Sequence, residues 1–277
     1  MKKHLSAILL FLIFFIGLSL LLYPTFADWW NSFHSSRAVA SYVEQVANID
    51  DDQYEELWNA AWDYNQSLLD RPNTFILSDE QKAQYEQLLN VGNNGIMGYI
   101  EIPSINVTLP IYHGTDEAVL QIAVGHLEWT SLPVGGESSH CVLSGHRGLP
   151  SARLFTDLDQ LEVGDTFLMY VLNEVLTYEV DQIRIVEPVE TQDLLIEEGK
   201  DLCTLVTCTP YGINSHRMLV RGRRIDNIVE EKAVRVTADA MLIEPVLVAP
   251  LVAAPMLLAL LIALMLPKRK KNRRNEE

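Results

Sequence analysis

The sequence predicts a mainly β fold, a closed barrel or sandwich of eight short strands, with short helices, a helical arm before it and a transmembrane helix at each end. Three observations carry this. Eight short apolar, β-branched runs separated by turn residues fall within about 130 of the 277 residues; a segment without internal proline or glycine and with helical spacing precedes them; and the apolar surplus of a 48% hydrophobic chain lies at its two ends.

Taken in order, residues 5–23 form an uninterrupted apolar run of 19 residues behind Lys2 and Lys3, long enough to cross a bilayer. Thr25-Phe26-Ala27 also reads as a small-residue cleavage site, so residues 1–27 are a membrane anchor or a signal segment, with the length favouring an anchor. Residues 28–94 are assigned to a helical arm. Within it, Val39, Val43 and Val46, then Tyr54, Leu57, Trp58, Ala61 and Trp62, repeat at three- and four-residue spacing over 35–69; these aromatics are expected to pack on the domain that follows. Asp70-Arg71-Pro72-Asn73 ends the arm, and Ser78 is placed to cap a short helix running through Leu89.

From residue 95 the pattern changes. Strands are expected at 97–102, 107–111, 121–127, 140–144, 166–172, 175–186, 202–208 and 217–222, with one helical turn over 151–155. The β-rich unit is drawn as 95–226, followed by a juxtamembrane linker over 227–244. Residues 245–277 then comprise a second span, a 22-residue apolar run over 245–266, and a basic tail beginning Lys268-Arg269-Lys270-Lys271. Basic flanks on both spans place both termini in the cytoplasm, which makes the chain multi-pass and puts everything between the spans on the outer face of the membrane. That middle carries 35 acidic against 13 basic side chains, a net of −22, which disfavours nucleic acid as a partner.

The chemistry concentrates in 204–224. Cys208 ends a β-type run, Arg217 begins the next nine residues later, and Pro210, Gly212 and Asn214 make the connection between them. A thiol nucleophile needs a base or cation to ionise it, and His146 in Ser144-Gly145-His146-Arg147-Gly148 is the best-placed base elsewhere in the sequence. His216 is a rival, but as a strand neighbour of Arg217 it should face the other way. Cys141 and Cys203 each lie five residues before one of these groups. If their strands run parallel and side by side, the matched offsets make the two thiols neighbours, more as a buried pair than as a disulfide. His113, His126 and His140 read as structural or solvated. The cysteine spacing fits neither a zinc site nor a disulfide scaffold, and Gly92-Asn93-Asn94-Gly95 lacks the lysine of a phosphate loop, so neither metal nor cofactor is expected.

Thr204-Leu205-Val206-Thr207-Cys208, the arginine nine residues on, and the Gly-His-Arg-Gly block at 145–148 together resemble the sortases, membrane-bound cysteine transpeptidases of Gram-positive bacteria. The run from His146 to Phe155, the block Cys208-Thr209-Pro210-Tyr211-Gly212 and the trailing apolar segment resemble the class C, pilin-polymerising branch. That resemblance selects the eight-stranded sortase barrel and implies a catalytic set of His146, Cys208 and Arg217. It further implies cleavage of a Leu-Pro-x-Thr-Gly-like signal between Thr and Gly through a thioacyl intermediate, and release of the acyl group by a lysine amine of a second pilin. The partners so implied are pilins or surface proteins bearing a C-terminal sorting signal, together with the lipid bilayer. Class C members carry a lid with an Asp-Pro-aromatic motif; here the corresponding stretch is split, leaving Asp70 and Phe75 as the lid candidates. Three other functions stay open: anchoring of surface proteins to the cell wall, simple thiol hydrolysis, and a membrane-tethered barrel without chemistry.

Overall fold

A computed structural model describes residues 2–70 and 76–227. The expected anchor and the first half of the arm form one helix, α1 (Lys2–Ala47), which continues through Pro24. One window of it is apolar and long enough to cross a membrane. The arm expected as one helical segment over 35–69 instead breaks at 48–50, where the Asp50 carboxylate accepts the Gln53 N–H at 2.8 Å and starts α2 (Asp51–Leu69). Ser78 caps α3 (Asp79–Tyr85) in a reciprocal box with Gln81, as its position in the sequence indicates, but the helix ends at Tyr85, short of the expected Leu89.

The eight strands are β1 (Ile96–Ile102), β2 (Val107–His113), β3 (Val124–His126), β4 (Ser139–Ser144), β5 (Thr166–Val171), β6 (Glu174–Val186), β7 (Asp201–Thr209) and β8 (His216–Ile225). They close into a barrel in the order β1-β2-β3-β4-β7-β8-β6-β5, with β5 pairing back to β1. Two neighbouring pairs, β2/β3 and β4/β7, run parallel; the other pairings are antiparallel. The fold is thus a closed mixed barrel, and the sandwich alternative is discarded. The second terminal span over 245–266 lies outside the described residues.

Two elements depart from expectation. The strand expected over 121–127 shortens to three residues, because Glu117–Leu120 wind into a helical turn, α4, and the Ile122 and Ala123 amides bond back to Val119 O at 3.1 and 2.9 Å. The helical turn expected over 151–155 forms downstream, through Thr156 N to Arg153 O at 2.7 Å and a 3₁₀ turn at Leu158–Gln160. Ser151 and Arg153 instead spend their backbone on α1: Asn31 Nδ2 donates to Ser151 O at 2.7 Å, and Arg153 N donates to Asp28 Oδ1 at 2.8 Å.

Alternation along the strands sorts two faces. Cys203, Leu205, Met218 and Val220 join Phe155, Phe167 and Tyr178 in the barrel interior. Val142, Val206 and Leu219 point outward and are covered by Val186 and Leu194, with Leu127 and Trp129 packed alongside. Of the arm residues expected to pack, Tyr54, Leu57 and Trp58 lie against the core and Ala61 is buried, whereas Trp62 is 37% exposed; two tyrosines outside that set also tie the arm down. Tyr42 OH donates to Met97 O at 3.0 Å and receives Leu172 N at 2.8 Å; Tyr64 OH donates to Glu128 O at 2.8 Å.

Candidate active site

Cys208 occupies the penultimate position of β7, on the outward-facing row with Val206, and is partly exposed. The ladder pairs it directly with Arg217 of the antiparallel strand β8. Residues opposite one another across such a ladder point to the same face, with Cβ atoms about 4.5–5.5 Å apart. The chain leaves β7 through the cis peptide Thr209–Pro210, and the loop over 210–215 brings it back at His216. Both groups therefore sit at one loop mouth.

His146 reaches the same place from the other side. In the parallel β4/β7 ladder Ser144 is level with Val206, and counting on two residues sets His146 level with Cys208. The continuation is held beyond the strand end, since Gly145 N donates to Val206 O at 3.0 Å and Thr207 Oγ1 donates to Gly145 O at 2.8 Å. Glycine is required at 145: a Cβ there would lie 2.7 Å from the buried Phe155 ring, whose own amide bonds His146 O at 3.1 Å. Gly148 has a φ of +76°, and its open face is filled by the Tyr211 ring from the β7–β8 loop. Arg147 points back toward β7, with Nη2 on Asp159 at 2.5 Å and Nη1 on Thr209 Oγ1 at 3.5 Å.

The guanidinium of Arg217 is oriented by its own loop. Nη1 donates to Asn214 O at 3.3 Å and to His216 O at 3.1 Å; no bond to a described residue uses Nε or Nη2. An arginine so held presents its remaining N–H groups as a planar fork, the geometry that suits a carbonyl or oxyanion oxygen. Cys208, Arg217 and His146 thus converge from three strands, while the other residues weighed from the sequence fall elsewhere. His216 pairs with Thr209, one step out of phase with Arg217, and bonds Ser215 Oγ at 2.8 Å. His126 is buried between Tyr85 OH at 2.9 Å and Ser131 O at 2.8 Å. His140 is buried between Leu195 O at 2.8 Å and Thr204 Oγ1 at 2.7 Å, and burial lowers its pKa. His113 bonds the carbonyls of Gly95 and Leu88.

Cys141 and Cys203 are register partners across β4/β7, both buried and both free, the thiol pair that matched offsets predict. Burial pushes the Cys203 thiol well above its usual range, and its Sγ faces Met169 Sδ at 3.7 Å. Asp70 is exposed at the C-terminal end of α2 with no described contact to Cys208; Phe75 lies outside the described residues. One neighbour escaped the sequence. Glu117 Oε2 stands 3.9 Å from His146 Nε2; α4 lies just before the strand expected over 121–127, and nothing in its residue pattern signals that proximity. Among the described residues, no three His, Cys, Asp or Glu side chains converge as a metal site.

Comparison with known proteins bears on this arrangement directly. A sortase domain model matches residues 100–225. The crystal structure of sortase C1 from Streptococcus agalactiae is 51% identical, with a TM-score of 0.68, over 69% of this chain and 99% of that one. Sortase C from Streptococcus pneumoniae, whose structure is described as bearing on catalysis and pilin substrate specificity, is 43% identical with a TM-score of 0.61 over 70% and 99%. Sortase D of Bacillus subtilis is 34% identical over 131 residues, 46% of this chain and 63% of its own length. With the barrel closed and matched along the length of class C structures, the chain belongs to the sortase family of cysteine transpeptidases, and its structural neighbours are class C sortases.

Proposed function

We propose that the chain cleaves a Leu-Pro-x-Thr-Gly-like sorting signal between Thr and Gly and joins the freed carboxyl to a lysine amine of a second pilin, building a covalent pilus at the outer face of the membrane. The observation that carries the reading is the placement of Cys208 opposite Arg217 in one ladder, with His146 two residues beyond the last rung of the next, where Ser144 pairs with Val206. In this scheme the Cys208 thiolate attacks the Thr carbonyl carbon, and the fork of Arg217 receives the developing oxyanion. His146 protonates the departing glycine amine as the C–N bond breaks, leaving a thioester on Cys208. A lysine amine then attacks the thioester, gives a proton to His146, forms the new amide and returns the thiolate. Class C neighbours support pilin as the substrate class.

The multi-pass topology belongs to the same proposal: α1 anchors one end of the chain and residues 245–266 the other. Asp70 and Phe75 stay in it only as the candidates for a lid that the resemblance implies, with an ordinary linker as the alternative. The test compares cells carrying the full chain, the Cys208→Ala variant and a chain truncated before Pro245. A ladder of covalent high-mass pilin is expected from the first, no ladder and no thioester from the second, and a weakened ladder from the third with unchanged cleavage of a soluble peptide. Tethering raises the local concentration of enzyme and subunit without touching the three site residues. Single subunits attached to the wall, without a ladder, would replace polymerisation by anchoring.

A further inference from the structure

We infer that the catalytic end of the barrel is turned toward the bilayer, with Tyr211 and Ile213 of the β7–β8 loop resting on the lipid surface. The inference rests on the reading of α1 as a membrane anchor and adds an orientation that this reading does not contain.

Topology defines the two ends. Cys208 marks the exit of β7, and β6 finishes at the same end, because Val186 pairs with Arg217. The β5–β6 turn at Leu172 therefore lies at the opposite end. Along its length α1 touches both. Its earlier part meets the catalytic end: Asp28 accepts Arg153 N, Asn31 donates to Ser151 O, and Ser35 Oγ donates to Ile122 O at 3.4 Å. These partners lie in the segments on either side of His146, since Arg153 and Ser151 follow it in the chain and Ile122 follows α4, which carries Glu117. Its later part meets the far end, where Tyr42 bridges Met97 and Leu172. The helix thus descends the barrel wall toward the catalytic mouth and leaves it in the direction of its own apolar run.

Helix rise converts this into height. From Tyr23, the end of the apolar run over 5–23, to Asp28 is five residues, about 7.5 Å, and to Asn31 eight residues, about 12 Å, at 1.5 Å each. The headgroup layer on each side of the roughly 30 Å hydrocarbon core is about 5–7 Å deep. The loop after His146 therefore sits at the outer margin of the headgroups. Phe26, Trp29, Trp30 and Phe33 contact one another along this stretch, and Phe26, Trp30 and Phe33 are half or more exposed; aromatic side chains gather at membrane interfaces in this way. Tyr211 and Ile213 are 61% and 72% exposed in a six-residue loop at the same mouth, where a lipid surface would cover them. Tyr211 also lies against Gly148, which ties this loop to the segment that Asn31 and Asp28 hold. A substrate still anchored in the same membrane would then present its signal to a mouth a few ångströms above the lipid.

The test uses the full chain reconstituted in phosphatidylcholine and phosphatidylglycerol vesicles, in a Cys208→Ala background that leaves only the buried thiols of Cys141 and Cys203. A nitroxide is attached at Ile213→Cys and, separately, at Asn173→Cys on the exposed far-end turn. Collision with dissolved oxygen, which partitions into lipid, is compared with collision with a water-soluble nickel chelate. The oxygen-to-nickel ratio is expected to be severalfold higher at 213 than at 173. Equal ratios, or the reverse order, overturn the orientation even if the wild-type chain in the same vesicles polymerises pilin. Failure of the chain to float with vesicles overturns the anchor and the orientation together, whereas loss of transpeptidation alone leaves both intact.

Discussion

Arg217→Lys separates a shaped donor from a mere positive charge. Arg217 is partly exposed, and the bonds it makes to described residues, to Asn214 O and His216 O, both use Nη1. Its folding contribution is therefore small, and its remaining N–H groups are free for substrate. Removal of one oxyanion donor costs about 2.7–4 kcal/mol, or about 10² to 10³ in kcat. Lysine keeps the charge but supplies no fork, and its flexible stem no longer has the Nη1 bonds that aim it. We expect kcat on a quenched-fluorescence sorting peptide to fall about a hundredfold, with KM within a few-fold and the thermal midpoint unchanged. Arg217→Ala should lose more. If the lysine variant turns over within threefold of wild type while remaining folded, the guanidinium is a solvated strand residue and the oxyanion assignment is wrong.

What the sequence disclosed about this site followed from local rules with long-range consequences. The strand-loop-strand pattern put Cys208 and Arg217 at one loop mouth, and the equal five-residue offsets made Cys141 and Cys203 neighbours on the condition that their strands pair in parallel, which β4 and β7 do. Loop-dependent contacts stayed hidden. Nothing in residues 114–123 distinguishes a strand from a single helical turn, since Val119, Leu120 and Ile122 suit either, and so the approach of Glu117 to His146 was invisible. Asp157 and Asp159 pair with Arg153 and Arg147 in the loop that α1 holds through Ser151 and Arg153, contacts that no local pattern signals. The continuity of α1 was likewise obscured, because Pro24 and a candidate cleavage site fall where the helix simply goes on.

Two further outcomes follow from buried polar groups. Asn65, 3% exposed, clamps Leu132 from α2 by donating to its carbonyl at 3.1 Å and accepting its amide at 2.7 Å. Asn65→Ala strands both backbone groups and should cost about 2 kcal/mol in a urea titration, with peptide cleavage unchanged in the folded enzyme; a cost below about 0.5 kcal/mol would mean that water replaces the amide. The second concerns pH and His140. In its neutral form Nδ1–H donates to Leu195 O and Nε2 accepts the Thr204 hydroxyl, so both ring nitrogens are satisfied without a proton to spare. Burial is the largest cause of its lowered pKa, and the same holds for His113. A histidine whose folded pKa lies below its unfolded value of about 6.5 leaves stability complete above that pH. Below it the unfolded chain takes up the proton first, and stability falls as pH moves down toward the folded pKa. Asp201, raised by burial, acts in the opposite sense, but from a carboxylate range centred lower, so it does not cancel the histidines near pH 6. The urea midpoint should therefore drop between pH 7.5 and 5.5, and the His140 ring resonances should titrate with a midpoint below 6.5. A midpoint at or above 6.5 would show that the charged ring is accommodated between Leu195 and Thr204, and the loop over 187–200 would then owe nothing to a neutral histidine.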